Sequence, residues 1–381
     1  MRHNSGMEGR MSRQPNERFL CRAYRRVIPA VIAVVGVVPA YAETDMPQPE
    51  MKWEKLAPVP DSVGVAGPFA GVTGGALVVA GGANFPEKPL WEGGKKVWHA
   101  EAYVLPDAHG KWQTGFRLPR ALAYGISIST AKGVLCIGGG DADRHYADVF
   151  LLTWNKERLD REPGPSLPRS VANGCGALVG NIIYVAGGEE KPGATETLKA
   201  AWALDLNDAQ PAWREIPAWP GPGRALAVAA AQGGAFYLVG GVDLSPGPDG
   251  KPVRRHLGDA YRYAPASGWQ RIADLPNPVC AAPTPAPNAG SGRFLILGGD
   301  DGMLAGLTPI ENHPGFPRRI LAYETAAEKW VPAGEVLAAR VTAPTARWHD
   351  AYVVPSGEMR PGVRSPEIWT LTLSRSATKR D

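Results

Sequence analysis

The chain has 381 residues, 44% of them apolar, with 46 glycines and 37 prolines; this is enough for a sizeable core and rich in turn formers, so it reads as all-β and not as disordered. Its formal charge of +4 comes from the first 26 residues, which hold seven arginines against two glutamates, and the remainder stands at −1. A nucleic-acid binder keeps a basic footprint on its folded part, so DNA and RNA are set aside as partners.

In chain order, residues 1–42 read as an export signal. Seven arginines up to Arg26 precede an apolar stretch from Val27 to Val38, and Ala40-Tyr41-Ala42 offers a small-residue cleavage site before Glu43. Pro29 interrupts the apolar stretch, which is shorter than the roughly 20 residues a spanning helix needs. A membrane anchor is therefore the weaker reading. The processed protein, residues 43–381, is expected to be periplasmic or secreted without stable membrane insertion. Met7 or Met11 is an alternative start, and Arg25-Arg26 leaves the twin-arginine route open.

Cys136, Cys175 and Cys280 lie in the exported part. Their odd number argues against a disulfide framework, and the apolar or glycine-rich surroundings of Cys136 and Cys175 point to burial. The sequence has no CxxC, HExxH or clustered-histidine pattern, and neither a metal nor a cofactor is expected.

A strand signal, MKWEKLAP, follows the leader. Apolar runs then end in double glycines at Gly81-Gly82, Gly138-Gly139, Gly187-Gly188, Gly240-Gly241 and Gly298-Gly299, with Ser356-Gly357 as a degenerate sixth. The gaps are 57, 49, 53, 58 and 58 residues. A second strand signal follows each turn, and then a third carrying Trp112, Trp213, Trp269 or Trp330, a tryptophan that the second unit lacks. One more strand leads to the next double glycine, giving four per unit. This is the kelch pattern, and it predicts a β-propeller. The last unit lacks its tryptophan strand, whereas the chain begins with a spare one containing Trp53. Six blades are predicted, with the N-terminal strand pairing beside the C-terminal one to close the ring and hide two sheet edges. The tryptophans are expected to pack between blades.

That strand order brings the loop after each double glycine and the loop leading into each blade to one mouth. Arg120, Arg169, Arg224 and Arg340 sit on lead-in loops. Each alone reads best as a bridge between neighbouring blades or as a solvated side chain. As a set they predict an electropositive funnel for an anionic small molecule. Asp300, Asp301 and His313 are expected on the same side. The octapeptide GEMRPGVR puts Glu358 six residues before Arg364, with Pro361-Gly362 between them as a type II turn.

GEMRPGVR, its following strand EIWTLTL, and the segment KWEKLAPVPDSVGVAGPFAGV from Lys52 to Val72 resemble the kelch-type N-acetylneuraminate epimerases, or sialic acid mutarotases, of bacteria. In the usual order of that family the two segments are consecutive; here they occupy opposite ends of the exported chain, so it resembles a circular permutant. The resemblance implies that Glu358 is the proton acceptor and Arg364 its companion in interconverting α- and β-N-acetylneuraminate without cofactor or metal. An acidic sugar is then the partner, and the family hints at a homodimer. Met359-Arg360 departs from the commoner small residue and lysine but keeps the acid and the guanidinium. The connection from Ala83 to Ala100 loosely resembles a family lid. A competing reading is a non-catalytic carbohydrate-binding or protein-interaction propeller. A copper radical oxidase needs two histidines, a tyrosine and a tyrosine-cysteine pair, a set that the scattered His99, His109, His145, His256, His313 and His349 do not suggest.

Overall fold

The computed structural model describes residues 49–374 except Ser291, so the predicted leader lies outside the described residues. The runs before the double glycines become the second strands of six antiparallel sheets: Ala76–Ala80, Gly133–Ile137, Ile182–Ala186, Ala235–Val239, Arg293–Leu297 and Ala351–Pro355. These sheets are blades 1 to 6. The second strands are almost wholly buried because neighbouring blades cover both faces, which is why their apolar residues run on instead of alternating. Outer strands such as Leu159–Pro163 are polar and half exposed.

The core is divided among the blade interfaces. Phe69, Val134 and Phe150 fill the space between blades 1 and 2. Tyr184, Phe236 and Tyr261 fill that between blades 3 and 4. Leu77, Trp348 and Ile368 join blade 6 to blade 1. In four blades the tryptophan of the repeat fastens the blade to the one before it. Trp112 Nε1 donates to the Ala57 carbonyl (3.1 Å), Trp213 to Pro165 (2.8 Å), Trp269 to Pro217 (2.5 Å) and Trp330 to Ala273 (2.8 Å).

The seam lies in blade 6, as the strand count predicts. Glu50–Leu56 pairs antiparallel with Ile368–Ser374, from Glu50 opposite Ser374 to Leu56 opposite Ile368, and the pairing covers the edge of the last strand. The prediction of four strands per blade fails in blade 5, which has three regular ones. Pro283, Pro285 and Pro287 remove every second amide donor from the segment in the innermost position, so no ladder forms there.

A feature absent from the sequence reading lies on the axis. One residue at the head of each blade, Gly67, Tyr124, Asn173, Leu226, Ala281 and Thr342, adopts the left-handed conformation, with φ between 50° and 63°. Each donates its backbone N–H to the carbonyl of its counterpart in the previous blade at 2.6–2.8 Å, and Gly67 closes the circuit onto Thr342. Six peptides thus form a hydrogen-bonded ring around the throat. The sequence signal is a variable residue flanked by small ones, as in Ala123-Tyr124-Gly125 and Ala172-Asn173-Gly174.

Candidate active site

Glycine is called for at the first position of the Gly187-Gly188 turn, because a Cβ on Gly187 would lie 2.2 Å from the Arg224 carbonyl of the next blade. Ser356 occupies this position in blade 6 with φ 59° and is wholly buried. Its hydroxyl accepts from Val65 N–H at 2.8 Å and lies within hydrogen-bonding distance of the Val65 and Ser365 carbonyls, at 2.9 and 2.8 Å. These bonds tie the seam to blade 1 and offset the strained conformation.

From this anchor, Glu358–Arg360 and Val363–Arg364 form a short hairpin with Glu358 opposite Arg364. The reversal at Pro361-Gly362 places Gly362 at φ 81°, as the predicted turn type requires. Glu358 Oε1 accepts from Gly362 N–H at 2.7 Å and from Arg364 Nη1 at 3.2 Å. Its Oε2 has no partner among the described residues. The side chains of Glu358 and Arg364 are 16% and 3% exposed. Arg364 also reaches the Ala83 carbonyl with Nε at 3.4 Å and lies 4.9 Å from the Phe85 ring centroid. The connection after blade 1's double glycine therefore embraces the hairpin. Leu90 abuts Gly362, and Trp91 lies beneath the Arg360 guanidinium. Lys96 extends over Tyr124 of the throat.

The six positions after the double-glycine turns are equivalent. Ala83, Gly140, Glu189, Val242, Asp300 and Glu358 bridge to Ala66, Ala123, Ala172, Ala225, Cys280 and Val341, each just before a throat residue. Three of the six are acids. Glu189 Oε1 accepts from Asn173 Nδ2 at 3.3 Å, and burial raises its carboxyl above the usual range against the pull of Arg254 and Asn173. Burial also pushes Asp300 upward, but hydrogen bonds from His256 and Gly302 N–H prevail and hold it below. His256 Nε2 is 3.5 Å from Asp300 Oδ2, and buried Cys280 completes a group whose donor atoms lie within 4.8 Å of one another. That donor set is of a kind that suits zinc, and the close approach of His256 to Asp300 holds without one. Three separate loops supply the group, which is why no sequence spacing announces it. His313 is buried, and its Nδ1 accepts from Gly315 N–H.

The lead-in arginines do not form the expected free electropositive funnel, because each already has an acid. Arg224 is fully buried; it meets Asp259 at 2.8 Å and donates to the Gly240 carbonyl at 2.9 Å. Arg340, also buried, reaches Glu367 at 2.7 Å and Ser365 Oγ at 2.9 Å. Arg120 pairs with Asp148 at 3.0 Å, and Arg169 with Glu190 at 2.5 Å. Arg120, Arg224 and Arg340 thus clamp the head of a blade to the start of its own third strand. Blade 3 has no acid there, and Arg169 turns to the loop after the double glycine instead.

Fold and site together define a six-bladed propeller with a buried guanidinium holding a carboxylate at its mouth. The chain belongs to the N-acetylneuraminate epimerase family, whose sequence profile matches residues 38–160 and 164–306. It is similar to the N-acetylneuraminate epimerase of Yersinia enterocolitica, with 28% identity over 247 residues, covering 58% of this chain and 60% of the relative. The Vibrio cholerae epimerase is 40% identical over 134 residues, covering 31% of this chain and 34% of the relative. The chain thus spans between a third and three fifths of the length of these curated relatives. The solved structure of YjhT shares the fold, with a TM-score of 0.61 at 14% identity over 84% of this chain and 99% of that one. Glu358 lies beyond the matched stretches, so its role rests on the motif and the geometry.

Proposed function

We propose that the protein interconverts the α- and β-anomers of N-acetylneuraminate by acid/base ring opening and closure. The observation that carries this reading is the state of Glu358: one oxygen is fixed by Gly362 and Arg364, and the other has no partner among the described residues. Glu358 takes the proton of the anomeric hydroxyl. The bond from the anomeric carbon to the ring oxygen breaks, its electron pair stays on that oxygen, and a proton from an acid group of the site, Glu358 itself where it shuttles, neutralises it. The open-chain ketone turns about the bond to the next carbon, and the reverse steps close the ring on the other face. Positioning of a general base of this kind contributes about 10²–10⁴-fold. Family membership and the names of the relatives support the substrate class. The buried Arg364 acts by orienting Glu358.

Proton NMR of freshly released α-anomer tests the reading. Wild-type protein should speed the exchange, and Glu358→Gln should abolish the gain while still binding the sugar; equal exchange with both would refute it. The chain order of the two family segments is consistent with a circular permutation whose seam is the closure in blade 6. We extend the proposal to the leader: residues 1–42 direct export, so protein recovered from the periplasm should begin at Glu43. Sedimentation of the same sample tests the homodimer.

A further inference from the structure

Opening a hemiketal ring needs a proton donor at the ring oxygen as well as a base at the anomeric hydroxyl, and Glu358 alone serves both only by shuttling. The geometry of the mouth supplies a second group. Blades three apart face each other across the axis, as the order of the hydrogen-bonded throat shows. The post-glycine positions therefore form three facing pairs: Ala83 with Val242, Gly140 with Asp300, and Glu189 with Glu358. Only the last has a carboxyl group on both sides. We propose that Glu189 is the proton donor to the ring oxygen of the sugar, acting from the opposite side of the mouth to Glu358.

The surroundings of the two acids differ in the sense this division of labour needs. Glu358 accepts from a guanidinium and a backbone N–H. Glu189 is withdrawn from solvent, and its carboxyl receives one neutral amide donor, from Asn173, which itself lines the throat. The charged groups around it are Arg254 on the blade 4 hairpin, which opposes the effect of burial, and the neighbouring Glu190, already paired with Arg169. His145 of blade 2 lies 2.9 Å from the Glu189 carbonyl through Nδ1. Burial keeps the Glu189 carboxyl protonated further up the pH scale than a free glutamate, as a donor requires. In the opening step the proton of Glu189 passes to the ring oxygen as that of the anomeric hydroxyl passes to Glu358. Closure returns both, leaving the protein unchanged.

This inference rests on the mutarotase reading, and one experiment separates the two. Anomer exchange is measured by NMR across pH for wild type, Glu189→Gln and Glu189→Asp, with sugar binding followed by calorimetry. A wild-type protein that fails to speed exchange ends the underlying reading. If wild type is active, Glu189→Gln should fall about 10²–10⁴-fold in rate with affinity little changed, and it should lose the decline in rate at alkaline pH that marks deprotonation of the donor. Glu189→Asp, which keeps the acid with a shorter reach, should recover part of the rate and the alkaline decline. A wild-type rate in Glu189→Gln overturns the assignment. So does a slow variant that keeps the alkaline limb, since that marks a structural role. Should Glu189→Gln fail to fold, Glu189→Asp decides: a wild-type rate and profile overturn the proposal.

Discussion

Arg364 and Glu358 face each other across a two-strand hairpin, with Nη1 of the arginine 3.2 Å from Oε1 of the glutamate and the guanidinium almost wholly buried. Removing one partner of such a pair strands a charge, at a cost of about 3–5 kcal/mol. Arg364→Ala should therefore lower the midpoint of urea unfolding and also reduce anomer exchange. Glu358→Gln removes the counter-charge of Arg364 but keeps a side-chain oxygen to accept from Arg364 Nη1 and Gly362 N–H, so it should lose exchange at a smaller cost in stability. Comparing the two by chemical denaturation separates anchoring from chemistry.

Arg224 and Asp259 predict an acid-labile clamp in blade 4. Burial pushes Asp259 upward, but hydrogen bonds and charge from Arg224, with a further bond from Tyr261, hold its carboxyl below the usual value. A depressed folded-state pKa means that the unfolded chain binds the proton more readily. The clamp's stabilisation is therefore present in full above the unfolded value of about 3.9 and is lost as pH falls through the lower folded value. Thermal unfolding from pH 6 to pH 2 should be steeper in wild type than in the double variant Arg224→Met/Asp259→Leu, which lacks the linkage.

Ser356→Ala should cost about 1–3 kcal/mol, because it leaves the buried Val65 amide without its acceptor and takes away the one hydroxyl proton shared between the Val65 and Ser365 carbonyls. Ser356→Gly loses the same bonds but relieves the left-handed backbone, so it should be the less damaged of the two. A urea titration of both variants ranks them.

Trp330→Phe removes the indole N–H that reaches the Ala273 carbonyl of the previous blade. A loss of about 0.5–1.5 kcal/mol is expected, with exchange activity retained because the contact lies away from the mouth. Equilibrium unfolding and an activity assay on one preparation check both halves.

Cys136, Cys175 and Cys280 are buried free thiols, and burial raises Cys175 to about 12. A thiol reagent at neutral pH should leave these three thiols unmodified in the native protein and should titrate them only after unfolding.

The fold was legible because a propeller writes its period into the chain. The double glycines mark where strands end against a neighbouring carbonyl, and the spare strand around Trp53 marks the seam. Glu358 and Arg364 were legible because six residues and a Pro-Gly turn fix their meeting locally. What escaped the sequence was non-local. Whether a loop arginine is free depends on an acid dozens of residues away, as with Arg224 and Asp259. The facing of Glu189 and Glu358 depends on counting around a closed circle. The missing inner strand of blade 5 was readable in its alternating prolines, but the repeat pattern masked it.

The circuit of backbone links at the throat bears on how an anionic guest would be received. Its six amide dipoles run head to tail around the axis, so their in-plane components cancel, and every donor and acceptor in it is already spoken for. Around the axle of the propeller the in-plane field of the ring thus cancels, and none of its six N–H groups is left to grip a guest. Selectivity must be written in the side chains above it, where evolution can edit one blade without retuning the other five.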